Sequence, residues 1–260
     1  LRAFVAGAAG FIGEHVTRAL VADGWAVIGG ARDLASARRL LPEIEWVRVD
    51  FGRDTDPETW RKRLDGCDAL VNCVGILQSS WRDQSRRVHV DATVALFEGA
   101  RRAGVRRLLH ISALGADAAG ATDFARDKAA ADSALETMDG TIVLRPSLVY
   151  ALANHGGTAL IRALAGLPGV VPIPSGDITF DPIHAEDLAA IAVRCLDPRV
   201  DAQGIFDVGG PQRLTLREIV DEQRTWLGFG GARLVEIPDW ILAAALRLGD
   251  LVGWLGNPGP

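Results

Sequence analysis

The chain has 260 residues, 48% of them hydrophobic and 23% charged, and a formal net charge of -5. That length suits one large α/β domain with a small lobe, and the acidic balance disfavours nucleic acid as a partner. Cys67, Cys73 and Cys195 form no CxxC pair and join no histidine cluster at zinc spacing, which argues for no metal, no disulfide framework and a reducing, cytoplasmic compartment.

In chain order, Arg2 to Ala6 is a short apolar run that enters a glycine, the form of a buried parallel strand. A glycine-rich turn follows, and residues 15–22 read as a helix stopped by Asp23-Gly24. Residues 25–30 and 45–49 read as the second and third strands, with a helix over 35–41 between them. Residues 69–74 give the fourth strand and 107–111 the fifth. Between these, residues 88–103 read as one long amphipathic helix closed by Gly104. A helix over 123–137, with Asp123 as its N-cap, precedes a sixth strand over 141–145. Past Tyr150 the rhythm breaks at Pro168, Pro172 and Pro174, then resumes with a helix over 185–195 and a strand over 204–208.

Strands alternating with helices at this spacing specify the α/β class, a doubly wound parallel Rossmann sheet with a small C-terminal lobe. Residues 1–150, with 181–208 returning to them, are read as the dinucleotide-binding domain. Residues 151–180 and 209–260 are read as the lobe for a substrate or partner. Residues 238–255 are apolar except for Asp239, Arg247 and Asp250, charges that argue against a spanning helix. They read as a helix packed on the body or on a protein partner, with a membrane-surface contact as the alternative. No signal peptide is visible at Leu1, and the ends at Leu1 and Asn257-Pro258-Gly259-Pro260 read as the edges of a longer protein, cytoplasmic or, as the alternative, membrane-associated. A monomer or weak homodimer is expected.

The first strand runs into Gly7-Ala8-Ala9-Gly10-Phe11-Ile12-Gly13. Backbone N–H groups of such a turn, from Ala9 to Gly13, can approach a diphosphate while the following helix points its positive end at the charge. Gly7 permits the turn, Gly10 the close approach and Gly13 the helix–strand packing. The spacing is GxxGxxG, and its place between a strand and a helix is the context that gives it meaning. The adenosine ribose should be read about 20 positions on, where Ala31-Arg32-Asp33 stands. Asp33 would suit the hydroxyls of NAD and Arg32 the 2′-phosphate of NADP. Arg32 is nearer the strand end and has Arg38 and Arg39 behind it, so NADP is the preferred cofactor.

These residues resemble the short-chain dehydrogenase/reductase superfamily, in its extended and atypical branches. Gly7, Gly10 and Gly13 match its cofactor glycines, and Val49-Asp50-Phe51 resembles its third-strand end, where an aspartate meets the adenine amine. Asn72-Cys73-Val74-Gly75 resembles the fourth-strand motif lining the cofactor. His110 to Ala116 resembles the fifth strand with its active-site serine, here Ser112. Leu144 to Tyr150 resembles the loop near the nicotinamide, which implicates Pro146 and Leu148. Residues 180–188 and 206–211 resemble downstream signatures of the same branch. Within it, the HISALGA and PIHAEDLA runs are most similar to the group of the NADPH-binding accessory subunit of respiratory complex I and its bacterial epimerase/dehydratase-like relatives.

The superfamily uses Tyr-x-x-x-Lys, in which the phenol exchanges the substrate proton and the lysine lowers the phenol's pKa from about 10 and holds the ribose. Here the register gives Phe124-Ala125-Arg126-Asp127-Lys128. Lys128 is one of two lysines, with Lys62, and it lies one turn from Phe124 on the same helix face. Phe124 cannot titrate, and Tyr150, the only tyrosine, lies past the sixth strand. Loss of a positioned acid–base group costs about 10²–10⁴-fold in rate. Thr122, Asp123, Asp127 and His155 stand near the expected pocket as substitutes, although capping or loop polarity is the plainer reading of each. Ser112 would still donate a hydrogen bond to a substrate carbonyl. His110 and His89 read as core and structural histidines, Cys73 as a buried small hydrophobe, and His184 as a residue that caps or packs a helix.

Three functions follow in order. The first is an NADP(H)-binding oxidoreductase with weak or altered catalysis on a small quinone-like or lipid-like molecule. The second is a non-enzymatic cofactor-binding assembly or sensor module. The third is a nucleotide-sugar epimerase or dehydratase. It ranks last because it needs the tyrosine and an arginine that Asp177-Ile178-Thr179-Phe180 does not supply.

Overall fold

Strand β1 (Arg2–Ala6) is buried along its last four residues, as a strand covered on both faces must be. It leads into α1 (Phe11–Ala22), β2 (Ala26–Ala31), α2 (Leu34–Leu40), β3 (Glu45–Arg48), α3 (Pro57–Arg63) and β4 (Ala69–Asn72). A π-helical turn (Arg87–Asp91) runs into α4 (Ala92–Arg102), followed by β5 (Arg107–Ile111), α5 (Asp123–Glu136) and β6 (Thr141–Pro146). Next come β7 (Val149–Tyr150), α6 (Gly157–Ala165), β8 (Val170–Pro174), β9 (Thr179–Phe180) and β10 (Ile183–His184). The remaining elements are α7 (Ala185–Leu196), β11 (Gly204–Val208), β12 (Leu214–Thr215), α8 (Leu216–Trp226) and β13 (Arg233–Ile237). This computed structural model describes residues 1–77, 84–151, 157–176, 178–231 and 233–238. His155, Asp177 and the apolar stretch from 239 onward lie outside the described residues.

The chain divides into two compact units, residues 1–146 with 185–208, and residues 147–184 with 209 onward. The first holds a seven-stranded sheet in the order β11-β6-β5-β4-β1-β2-β3, all pairs parallel. Strand order reverses between β1 and β4, which opens a crevice at the carboxyl ends of those strands. Trp60 of α3 is fully buried beneath the sheet, edge-on to Phe4 and Phe51 at centroid distances of 6.3 and 5.4 Å. Its indole N–H donates to the Asp54 carbonyl at 2.8 Å, so the ring enters the core without an unmet donor.

The second unit is built from short pairs, β10 on β7, β12 on β9 and β13 on β8, with α6 and α8 packed together. Its core is small: Ala165, Val171, Ile173 and Val220. Arg224 is nearly buried and satisfies itself on the carbonyls of Ala165, Leu167 and Gly230. No described helix is long and apolar enough to cross a membrane.

Two local readings need correction. The expected helix over 88–103 begins as the π turn and becomes α-helical only at Ala92. Thr93 Oγ1 donates to the Val88 carbonyl there, the i to i-5 reach that such a turn allows. Thr122, not Asp123, caps α5, accepting from the Ala125 N–H, while Asp123 pairs with Arg126. His184 closes β10 at the residue directly before α7, with its ring edge-on to Tyr150.

Candidate functional site

The turn after β1 is shaped by its glycines. Gly7 has φ +75°, which an L side chain rarely adopts, and a Cβ on it would meet Val74 Cγ2 at 3.0 Å. A Cβ on Gly13 would stand 2.0 Å from the Gly7 carbonyl oxygen, so only glycine lets α1 sit this close to the strand end. The Gly7 N–H donates to Gly30 of β2, and the Gly10 N–H folds back onto the Gly7 carbonyl. Gly10 precedes α1 with no side chain capping the helix. Ala9 and Gly10 are exposed and Phe11 and Ile12 half-buried. The result is a concave backbone rim without a Cβ at its centre, backed by the positive end of a twelve-residue helix. A diphosphate fits such a rim.

Val74 joins this rim through its contact with Gly7, and its N–H donates to Asn72 Oδ1 at 3.0 Å. The Asn72 amide also donates to Thr93 Oγ1 and to His110 Nδ1, tying β4 to α4 and β5. His110 is therefore a core residue, but only half satisfied, because its Nε2 has no partner among the described residues. Burial, with Lys128 and His89 nearby, holds His110 well below the usual imidazole range. Burial also pushes the Cys73 thiol up to about 12, which keeps it neutral.

At the end of β2, Arg32 is exposed and Asp33 is spent on structure. The Asp33 carboxylate caps α2 by accepting from the Ala35 and Ser36 N–H groups and from the Ser36 hydroxyl. At the end of β3, Asp50 holds its own turn by accepting from Gly52 N–H at 3.0 Å. The Phe51 side chain points into the core, so only its backbone is left for a ligand.

Lys128 is 3% exposed, and its ammonium donates to the Ile111 carbonyl at 3.0 Å. Burial brings it down to about 8, with Asp132 and Cys73 opposing the shift. A Cβ on exposed Gly75 would stand 3.9 Å from Nζ and 3.4 Å from His89 Cε1, so the ammonium lies close to this backbone position. Phe124, one turn away on α5, packs edge-on to His89 at 5.4 Å. His89 Nε2 donates to the Ile76 carbonyl at 2.8 Å, and burial then Lys128 bring the ring down to about 4. Phe124 and His89 thus form an aromatic pair beside Lys128, and the imidazole of that pair stays neutral at neutral pH.

Ser112 is not the free donor expected. Its hydroxyl donates to Asp132 Oδ2 at 2.9 Å, which leaves only lone pairs for a ligand. Asp132, fully buried, also takes Arg145 Nε at 2.7 Å on the same oxygen. Asp132 lies four residues after Lys128, a spacing that could have drawn attention to it in the sequence. Pro146 ends β6, and its carbonyl accepts from Leu114 N–H. Within the first unit, Gly7 adjoins Val74, Gly75 adjoins Lys128 and His89, and His89 adjoins Phe124, while Ser112 joins Asp132 and Arg145. Leu148 falls in the second unit, where it lines a pocket.

Sheet order, glycine turn and uncapped first helix define a Rossmann-fold protein. The chain belongs to the NAD(P)H-binding family, whose model matches residues 7–198. It is 28% identical to ceramide reductase of Caulobacter vibrioides, over 97% of this chain and 78% of that one. It is 22% identical to the mitochondrial NADH-ubiquinone oxidoreductase 40 kDa subunit of Neurospora crassa, covering 84% of this chain and 58% of the subunit. Thermus thermophilus UDP-glucose 4-epimerase, solved with NAD, superposes with a TM-score of 0.72 at 22% identity, over 92% of this chain and 86% of the epimerase. That likeness is one of fold. The resemblance to complex I subunits and epimerase-like relatives is thus borne out, and reductases stand among the relatives.

Proposed function

We propose that this chain is an NADP(H)-binding reductase for a small, apolar, lipid-like carbonyl compound, with slow turnover. The observation that carries the reading is the buried Lys128 beneath Gly75, in a site whose phenol position is filled by Phe124. The rim from Gly7 to Gly13 would hold the diphosphate, Arg32 the 2′-phosphate, and Lys128 the nicotinamide ribose. Asp33 is drawn away from the ribose by its capping bonds, which favours NADP over NAD. Bound cofactor would supply hydride. The residues of the chain would orient the substrate, and the proton that balances the hydride would come slowly from solvent, because Phe124 stands at the phenol position and Ser112 is tied to Asp132. A quinone-like substrate fits the same chemistry, and ceramide reductase among the relatives favours the lipid class.

A second reading, cofactor binding without turnover in an assembly or sensor role, draws on the same Phe124 and on the complex I relatives. Oxidation of NADPH in the presence of long-chain and aromatic carbonyl compounds separates the two. The reductase reading expects slow oxidation that is lost in Lys128→Met. Tight NADPH binding with no oxidation for any carbonyl would favour the second reading. The nucleotide-sugar reading has only fold likeness behind it.

A further inference from the structure

Helix α5 carries a second buried charged residue one turn after Lys128, at Asp132. One oxygen of that carboxylate, Oδ2, takes both the Ser112 hydroxyl at 2.9 Å and Arg145 Nε at 2.7 Å. The other, Oδ1, is buried with no hydrogen-bond partner among the described residues. Lys128 in turn is docked on the carbonyl of Ile111, the residue before Ser112. Two successive residues at the end of β5 are thus gripped by two residues one turn apart on α5. Arg145 of β6 fastens the grip from the neighbouring strand. A buried carboxylate with an open oxygen is costly unless a nearby cation compensates it, and Lys128 is the buried cation on this helix. The other titratable side chains facing the ammonium stay neutral at neutral pH. Burial pushes the Cys73 thiol up to about 12 and brings His89 of the π turn down to about 4, and His110 of β5 lies well below its ordinary range. Asp127, the residue before Lys128, stands about 100° round the helix from it. Burial brings Lys128 down to about 8, and Asp132 is foremost in opposing that shift.

We propose that Asp132 is a positioning residue of the cofactor site: fixed by Ser112 and Arg145, its carboxylate keeps Lys128 an ammonium, docked at the end of β5, where it can hold the ribose of a nicotinamide nucleotide. Asp132 acts through Lys128 and touches no ligand itself. The proposal rests on the reductase reading, which assigns Lys128 to that ribose, yet its first test needs no cofactor.

Nuclear magnetic resonance of protein labelled with ¹³C at lysine Cε follows each ammonium directly. The chain holds two lysines, Lys128 and the exposed Lys62, and Lys62→Arg identifies the Lys128 signal. Asp132→Asn keeps the shape and removes the charge, and should lower the Lys128 midpoint by about one pH unit or more. Arg145→Gln should move the midpoint the other way, upward, because the carboxylate loses its compensating cation, and this variant serves if Asp132→Asn does not fold. The affinity of Asp132→Asn for NADPH is expected to fall about threefold at pH 7.5 and to match wild type at pH 6, where Lys128 is charged in both. A Lys128 midpoint unchanged in both variants, or shifted with the same sign in both, would overturn the proposal. So would an affinity loss of equal size at both pH values, which is what a merely structural role for Asp132 produces. Midpoints that move apart in a protein that binds no NADPH would remove the reductase reading and leave Asp132 acting on Lys128.

Discussion

At the scale of single residues, the site is governed by two neighbours on one helix face. Lys128 is held in a dry pocket and Phe124 lies against His89. Restoring a phenol at 124 would place a titratable group one turn from a lysine at about 8, the arrangement that lowers a phenol's pKa. Phe124→Tyr is therefore predicted to raise carbonyl-dependent NADPH oxidation about 10²-fold, measured in single-turnover experiments. A rate unchanged by the substitution would mean that proton delivery does not limit the reaction. The pattern Phe-x-x-x-Lys was legible in the sequence because the resemblance to a family with Tyr-x-x-x-Lys supplied its register. The ties of Ser112 and Asp33 were not, because composition does not say which of several polar neighbours a hydroxyl or carboxylate will choose.

At the scale of elements, the strands of the parallel sheet were readable because burial on both faces leaves short apolar runs in β1, β4 and β5. The helix α3 escaped notice although Asp56-Pro57 is a cap followed by a favoured first residue, since seven residues are too few to show a period. Helix α8 was also missed, although it has eleven residues and its capping box Thr215 to Glu218 was present in the sequence. The two-residue strands of the second unit carry no periodic signal at all. The π turn leaves the hydrophobic spacing nearly intact, so one continuous helix was expected there. The join of β1 to α1 yields the sharpest element-scale prediction. Gly13→Ala must displace α1 from the Gly7 carbonyl, which should cost about 1–3 kcal/mol and remove NADPH binding. Urea unfolding and a binding titration check both, and an unaltered affinity would show that the rim does not depend on this contact.

For the molecule as a whole, buried titratable groups set the pH range of stability. His89, held near 4, and His110, held well below its ordinary value, stay neutral in the folded chain, whereas the unfolded chain protonates both near pH 6.5. Stability is thus predicted to fall as pH drops from about 6.5 towards 4, with His89 contributing about 3 kcal/mol. Lys128 acts at the other end. It releases its proton near 8 when folded and near 10.4 when unfolded, so its contribution to stability rises with pH between those values. Urea midpoints across pH 4–10 for wild type and His89→Gln should show the acid limb flattened in the variant, and parallel curves would refute the assignment. The central claim, however, is that the glycine rim and Arg32 grip a phosphorylated dinucleotide, and fluorescence titration of the protein with NADPH and NADH tests it most directly. The prediction is saturable binding of NADPH about tenfold or more tighter than NADH, with Arg32→Ala bringing the two together. Failure of either nucleotide to bind would contradict the account.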